Sequence, residues 1–268
     1  MTTHKKEFPK TEQNASVSRS RRRTRATRVI AGFMAGSAVL FGVLTGVLGI
    51  VAESQLIHAF HNVVVASLLL VLSAPPALAI ARNPNNSHAP LMTLTALSAA
   101  AVITMAASLT IDPFTLPFVI FTGVLWTLRP SDPPPTSNAG PPSWVLLALL
   151  VAGVVPLLAY ALGQAELQRT LAENDHSRFF HWIEVSFYAA GILAFGLLSA
   201  FRPFTYRMAA WLAGIGATIL GSASLLLNGY ASAVPLPWPW LAIAGGIAFI
   251  GVTEWEINRR RGSGLGAT

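Results

Sequence analysis

Long stretches without a single charge dominate this sequence. From Val29 to Val51 no Asp, Glu, Lys or Arg interrupts the apolar run. A bilayer core about 30 Å thick needs roughly 20 such residues in an α-helix. Seven further runs follow, near 60–81, 91–111, 114–129, 144–164, 181–201, 207–228 and 238–255. Together they predict an all-α, polytopic integral membrane protein with about eight transmembrane helices. Such an architecture confines chemistry to helix ends and helix interfaces.

Composition points the same way. The chain is 53% hydrophobic and 11% charged, whereas soluble domains carry about a quarter charged residues. Eight spans consume most of the 268 residues. The remaining pieces are too short to bury a core of their own, so no soluble catalytic or receptor domain is expected. The absence of cysteine excludes disulfides, thiolate metal sites and cysteine nucleophiles. The first apolar run follows a long polar tail and exceeds the usual length of a signal core, which reads as a first span rather than a cleaved leader.

Charge placement orients the chain. Nine of the 18 Lys and Arg residues precede the first span, among them Arg21, Arg22, Arg23, Arg25 and Arg28. With the N-terminus in the cytoplasm, Arg82, Arg129, Arg202, Arg207 and Arg259 to Arg261 also fall inside, and only Arg169 and Arg178 fall outside. The positive-inside rule therefore expects an even number of spans in the cell membrane, with both termini cytoplasmic. Residues 1–28 read as a basic tail attracted to anionic lipid headgroups. The tail lacks apolar periodicity and is predicted to have no regular structure. No folded module surrounds its arginines, so nucleic acid is not an expected partner.

The chain also reads as duplicated. Phe60-His61 opens the second span, and Phe180-His181 opens the sixth 120 residues later; Arg82 and Arg202 close the same two spans. A Pro-rich cytoplasmic linker at 130–143 separates a first four-span half (29–129) from a second (144–255), with a basic C-terminal tail at 256–268. An even span count gives both halves one orientation, hence tandem repeats related by an axis along the membrane normal. Gly32 and Gly36, Gly42 and Gly46, Gly214 and Gly221, and Gly245 with Gly246 mark small-residue surfaces where helices approach closely. A homo-oligomer seam or a partner in a membrane complex is an alternative use for them.

Motifs of soluble enzymes are missing: there is no P-loop, dinucleotide fingerprint, H-E-x-x-H or G-x-S-x-G. One constellation carries chemistry. His58, His61, His176 and His181 all fall on the outer side, and His181 with Glu184 repeats the three-residue spacing of His58 with His61. Such pairs share a helix face. Glu184 lies about one turn inside the sixth span, where an ionisable group is costly and is paired or faces a polar cavity. His58, His61, His181 and Glu184 are thus candidate ligand-binding residues near the outer face of a permease-like or accessory protein. Alternatively, His61, His181 and Glu184 hold a divalent metal, or the two histidines ligate a haem. In a third reading the chain is a structural subunit and these residues bind nothing. An enzymatic role is not favoured. Glu53, Asp112 and Asp175 lie on the same side. Asp112 is expected to cap the fourth helix, and the segment 165–180 to form a short amphipathic helix over the site.

Overall fold

The computed structural model describes residues 10–51, 58–130, 141–171, 175–201 and 205–262. Glu53, Arg202, most of the Pro-rich linker and the last residues of the C-terminal tail lie outside the described residues. The described residues are helical, with no strand among them. In chain order the helices are α1 (Lys10–Val51), α2 (Ala59–Arg82), α3 (His88–Ser108), α4 (Leu116–Leu128), α5 (Trp144–Thr170), α6 (Asp175–Arg178), α7 (His181–Phe201), α8 (Arg207–Leu226) and α9 (Trp238–Gly262). Seven of them are long and apolar enough to cross a membrane; α4, with 13 residues, is shorter.

Why these elements form can be read locally. The α1 helix begins at Lys10 and not near Val29, which corrects the expectation of an unstructured tail across residues 10–28. Arginine is a good helix former, and the apolar span below supplies the nucleus that a free peptide would have to form at a cost. The Thr27 hydroxyl donates to the Leu128 carbonyl at 3.0 Å, and Thr24 to Asn85 at 3.3 Å, pinning this part of α1 to the bundle. At the start of α5, Ser143 accepts from the Leu146 amide and donates to Glu256 Oε1 at 2.6 Å. The N-cap is therefore also a tie to α9.

Proline shapes α2. Pro75 and Pro76 cannot donate to the carbonyls four residues back. The preceding six residues, Leu68–Ser73, widen into a π-helical turn, and the Ser73 hydroxyl donates to the Leu68 carbonyl at 2.8 Å. The sequence locates the disturbance at the prolines; the structure moves it one turn upstream, where the helix register changes. At α4, Asp112 accepts from the Phe114 amide at 2.8 Å and from the Thr115 hydroxyl. It caps a turn, and the regular helix begins later, at Leu116. Burial pushes the Asp112 carboxyl above its usual range, and these hydrogen bonds pull it back.

Consecutive long helices run antiparallel. One end of the bundle gathers Thr27 with the end of α4, Ser143 with the end of α7 (Ser143 N–H to Ala200 carbonyl, 2.8 Å), and Arg207 with Glu254. The N-termini of α2 and α7 meet at the other end. α1 packs on α2 and α4, α2 on α3, and α3 on α4; α5 packs on α7 and α9, α7 on α8, and α8 on α9. Across the middle, α2 meets α7, α3 meets α7 and α8 meets α2. A further packing of α3 on α5 has no counterpart of similar extent. α7 is the most buried of the long helices, while α5 turns most of its surface outward. The core where α2 and α7 meet includes Phe60, Val64, Leu72, Phe187, Tyr188 and Phe195.

Glycines sort into two kinds. A side chain on Gly246 would sit 2.4 Å from the Gly214 carbonyl, and one on Gly221 2.4 Å from the Pro239 carbonyl, so α8 and α9 touch backbone to backbone. Gly42 and Gly49 instead make room on α1 for side chains of α2, a Cβ there falling 2.7 Å from Leu70 Cγ and 2.6 Å from Asn62 Cβ. Gly36 and Gly245 face open space, and Gly32 meets only Ala81 at 4.0 Å. The predicted Gly32–Gly36 surface is therefore not a tight seam within the chain.

Candidate metal centre

Four imidazoles converge where α2 and α7 begin. His61 sits in the first turn of α2 with none of its surface exposed; His58 immediately precedes that helix and is also buried. His181 opens α7. His176 arrives from the single turn α6. That turn is held down by Gln168 of α5, whose amide donates to the Ser177 carbonyl at 2.9 Å. The chain then reverses through Phe180, a bulky residue at φ 62°. The left-handed region costs a non-glycine residue roughly 1 kcal/mol, and the turn it allows folds His176 back over His181.

Ring centroids give the packing. His58 lies 4.6 Å from His176 and 4.7 Å from His181; His61 lies 4.8 Å from His176 and 5.1 Å from His181. One ring nitrogen each from His58, His61 and His176 fall within 4.8 Å of one another. Some point then lies within about 2.8 Å of all three, against roughly 2.0–2.1 Å for a Zn–N bond. Closing the difference takes small side-chain rotations. The sequence pairs His61 with His181 and Glu184 as ligands; the structure brings His58, His61 and His176 closest, with His181 beside them.

Hydrogen bonds fix which nitrogen of His61 is available. The Ser232 hydroxyl donates to Gln164 Oε1 at 2.6 Å, which uses its only proton. Toward His61 Nε2, 3.1 Å away, the same oxygen can then only accept. His61 therefore carries its proton on Nε2, and Nδ1 presents a lone pair. That Nδ1 is buried and, among the described residues, has no hydrogen-bond partner. The Tyr160 hydroxyl donates to the Ser232 carbonyl at 2.6 Å and holds this residue, itself at φ 69°, in place. Fixing one nitrogen by a hydrogen bond so that the other can ligate is how metal-binding histidines are oriented.

Glu184 is paired with the residue that shares its helix face. Its carboxylate lies 3.2 Å from His181 Nδ1, inside the same helix turn. It supports His181 rather than facing the cluster directly, an arrangement that leaves His181 Nε2 as the imidazole's remaining donor atom. Arg178 pairs with Asp175, at 3.9 Å, and not with Glu184. Burial, followed by the neighbouring His181, holds His58 below the ordinary imidazole value; burial, His58 and His181 do the same to His176, and Asp175 partly opposes both shifts. Both rings are thus neutral near pH 7, the state in which imidazole binds a metal.

The haem alternative does not fit this packing. His61 and His181 stack with 25° between their planes at 5.1 Å, and His58 and His176 press against both. No gap remains between them for a porphyrin. Comparison with known proteins finds no matching family model, no matching curated protein and no matching solved structure. Function therefore has to be argued from the cluster itself.

Sequence reasoning left three contributors out of the site. His176 belongs to the outer-side histidines but to no helical pair, and the segment 165–180 was expected as one amphipathic helix. Instead α5 continues to Thr170, and a separate turn delivers His176. Gln164 and Ser232 come from distant elements, and nothing in their local sequence distinguishes them. Their part in the site has a direct test. Ser232→Ala is expected to weaken metal binding about 10–100-fold, the usual effect of removing a group that orients a ligand. Competition with a chromophoric chelator measures this, and an unchanged affinity would refute the tautomer assignment.

Proposed function

We propose that this chain is a multi-pass protein of the cell membrane that captures a divalent transition metal ion on the face opposite its arginine-rich tail. His58, His61 and His176 are the ligands, with His181 and Glu184 alongside. The observation that carries this reading is the convergence of one ring nitrogen each from His58, His61 and His176 to within 4.8 Å of one another, in a cluster where the buried Nδ1 of His61 has no hydrogen-bond partner among the described residues. Leaving such a group dry and unbonded costs free energy, and a structural subunit has no use for it. Three imidazole nitrogens suit Zn, Cu or Ni ions and leave a coordination position open for water or a further ligand.

Membrane insertion is supported by the broad outward display of large apolar side chains, including Phe33, Leu40, Ile103, Val155 and Ile247; a water-soluble monomer rarely exposes so much. The short helix α4 supplies an eighth crossing in this reading. Phe114 before it packs near Phe180 at the histidine end, and Leu128 at its close meets Thr27 at the arginine end. The matched packing of α1 to α4 and of α5, α7, α8 and α9 supports two tandem units related by an axis through the α2–α7 contact. Each unit contributes two histidines.

Capture is favoured over conduction by what lies beneath the cluster. Phe60, Val64, Leu72, Phe187 and Phe195 fill the middle of the bundle with apolar side chains. A metal ion cannot shed its polar ligands into such a layer without a large desolvation cost. Protein purified in detergent and dialysed against Zn, Ni or Cu should retain about one ion per chain by elemental analysis. Tetrahedral Co absorption bands should appear on substitution. Failure of any of these ions to bind would sink the reading.

The same site predicts a pH response for metal-free protein. Folded-state values for His58 and His176 lie below their ordinary value near 6.5. Below that pH the unfolded chain takes up more protons than the folded one. Stability is therefore fully present above about pH 6.5 and declines as the pH falls toward the folded-state values. The melting temperature should stay level from about pH 8 to 7 and fall below about 6. The double variant H58N/H176N should make that fall shallower without abolishing it, because His61 and His181 remain in the cluster.

A further inference from the structure

We infer that the cytoplasmic end of α1 holds a defined site for the phosphate of an anionic phospholipid headgroup. This rests on the membrane reading above but not on the metal site. Arg21, Arg25 and Arg28 recur at intervals of four and three residues, so they project within one narrow sector of the helix. They line an open cleft of about 590 Å³ between α1 and the turn joining α2 to α3, together with Ser20, Thr24 and Asn85. The Thr24 hydroxyl of α1 shares its one proton between the Ser20 carbonyl at 3.1 Å and Asn85 Oδ1 at 3.3 Å, and the second contact links the two walls. The cleft is thus a feature of the folded chain, not a transient of a loose tail.

Charge argues for an anion. All three arginines are exposed, and among the described residues no carboxylate pairs with any of them. Arginine forks match phosphate oxygens in geometry as well as charge. What lies next to the cleft argues for a lipid rather than a soluble phosphate. Val29 forms its lower edge and is 62% exposed; Phe33, one turn further along α1, is 61% exposed. A headgroup phosphate among the arginines would lay its acyl chains along this apolar strip, as expected where a basic cluster adjoins a span. Arg22 and Arg23 project about 100° and 200° further around the helix. They are exposed but do not line the cleft.

That difference supplies the test. Full-length protein is purified in a neutral detergent, offered mixed micelles of phosphatidylglycerol and phosphatidylcholine, and scored for bound lipid by native mass spectrometry. The wild type should retain phosphatidylglycerol preferentially. R21Q/R25Q should lower that retention by about tenfold or more, while R22Q/R23Q, with the same change in charge, should lower it by less than about twofold. Equal losses in the two variants would mean diffuse attraction and overturn the site. Full displacement by millimolar inorganic phosphate would overturn the lipid as its occupant.

Discussion

His61→Ala is expected to abolish metal retention. The side chain supplies a buried donor atom whose protonation state follows from the Ser232 contact at the other ring nitrogen and which has no hydrogen-bond partner among the described residues. Loss of a ligand should exceed the roughly 100-fold penalty of losing a supporting group, so the variant should leave a desalting column empty of metal. His88→Ala, at the opposite end of the bundle beside Trp126, should bind as the wild type does. A His61→Ala protein that elutes as the wild type does and still carries one ion per chain would place the metal elsewhere. Loss of the metal with an unchanged elution profile separates a ligand from a merely structural residue.

Gly246→Leu is expected to be the most damaging single change in the apolar interior. A Cβ at this position already sits 2.4 Å from the Gly214 carbonyl, 2.6 Å from Thr218 Oγ1 and 3.0 Å from the Thr218 amide nitrogen. Two of these three are backbone atoms, which cannot swing aside as a flexible side chain would. α9 must move off α8, and overpacking of this kind costs about 3 kcal/mol. The separation would also strain the Arg207–Glu254 pair and the Trp211 N–H bond to Glu254, both made at 2.7 Å between the same helices. Gly245→Leu is the matched control, because its Cβ would enter open space. Unfolding in detergent should separate the two variants clearly; equal stability would mean that the α8–α9 contact is looser than the structure has it.

Much of the helix pattern was legible because apolar length is a strong signal and needs no partner to be read. α7 begins and ends where the hydropathy says, at 181 and 201. The boundaries that moved are those where tertiary contact or backbone chemistry takes over. α1 extends into its polar tail, α2 changes register ahead of its prolines, and α4 starts after a capped turn. The His61–His181 pairing could be read because both residues stand at the start of an apolar run, after a phenylalanine. His176 could not, since a four-residue helix has no periodicity and its position depends on Gln168 and on the backbone reversal at Phe180. Glu184 was legible as a costly group on one face with His181, and the structure sets its carboxylate 3.2 Å from His181 Nδ1; spacing tells which residues share a face and not which atom faces which. Glu254 and Glu256 stand close in sequence to Arg259, Arg260 and Arg261, and spacing alone would pair them there. The structure gives Glu254 to Arg207 and Trp211, and Glu256 to Ser143, contacts that close the bundle between helices far apart in sequence.

His58 and His61 belong to one half of the chain, His176 and His181 to the other. An ion seated among them would fasten the start of α2 to the start of α7 and α6. It would add a polar clasp at one end of a contact that apolar packing of α2 and α3 on α7 already holds along its length.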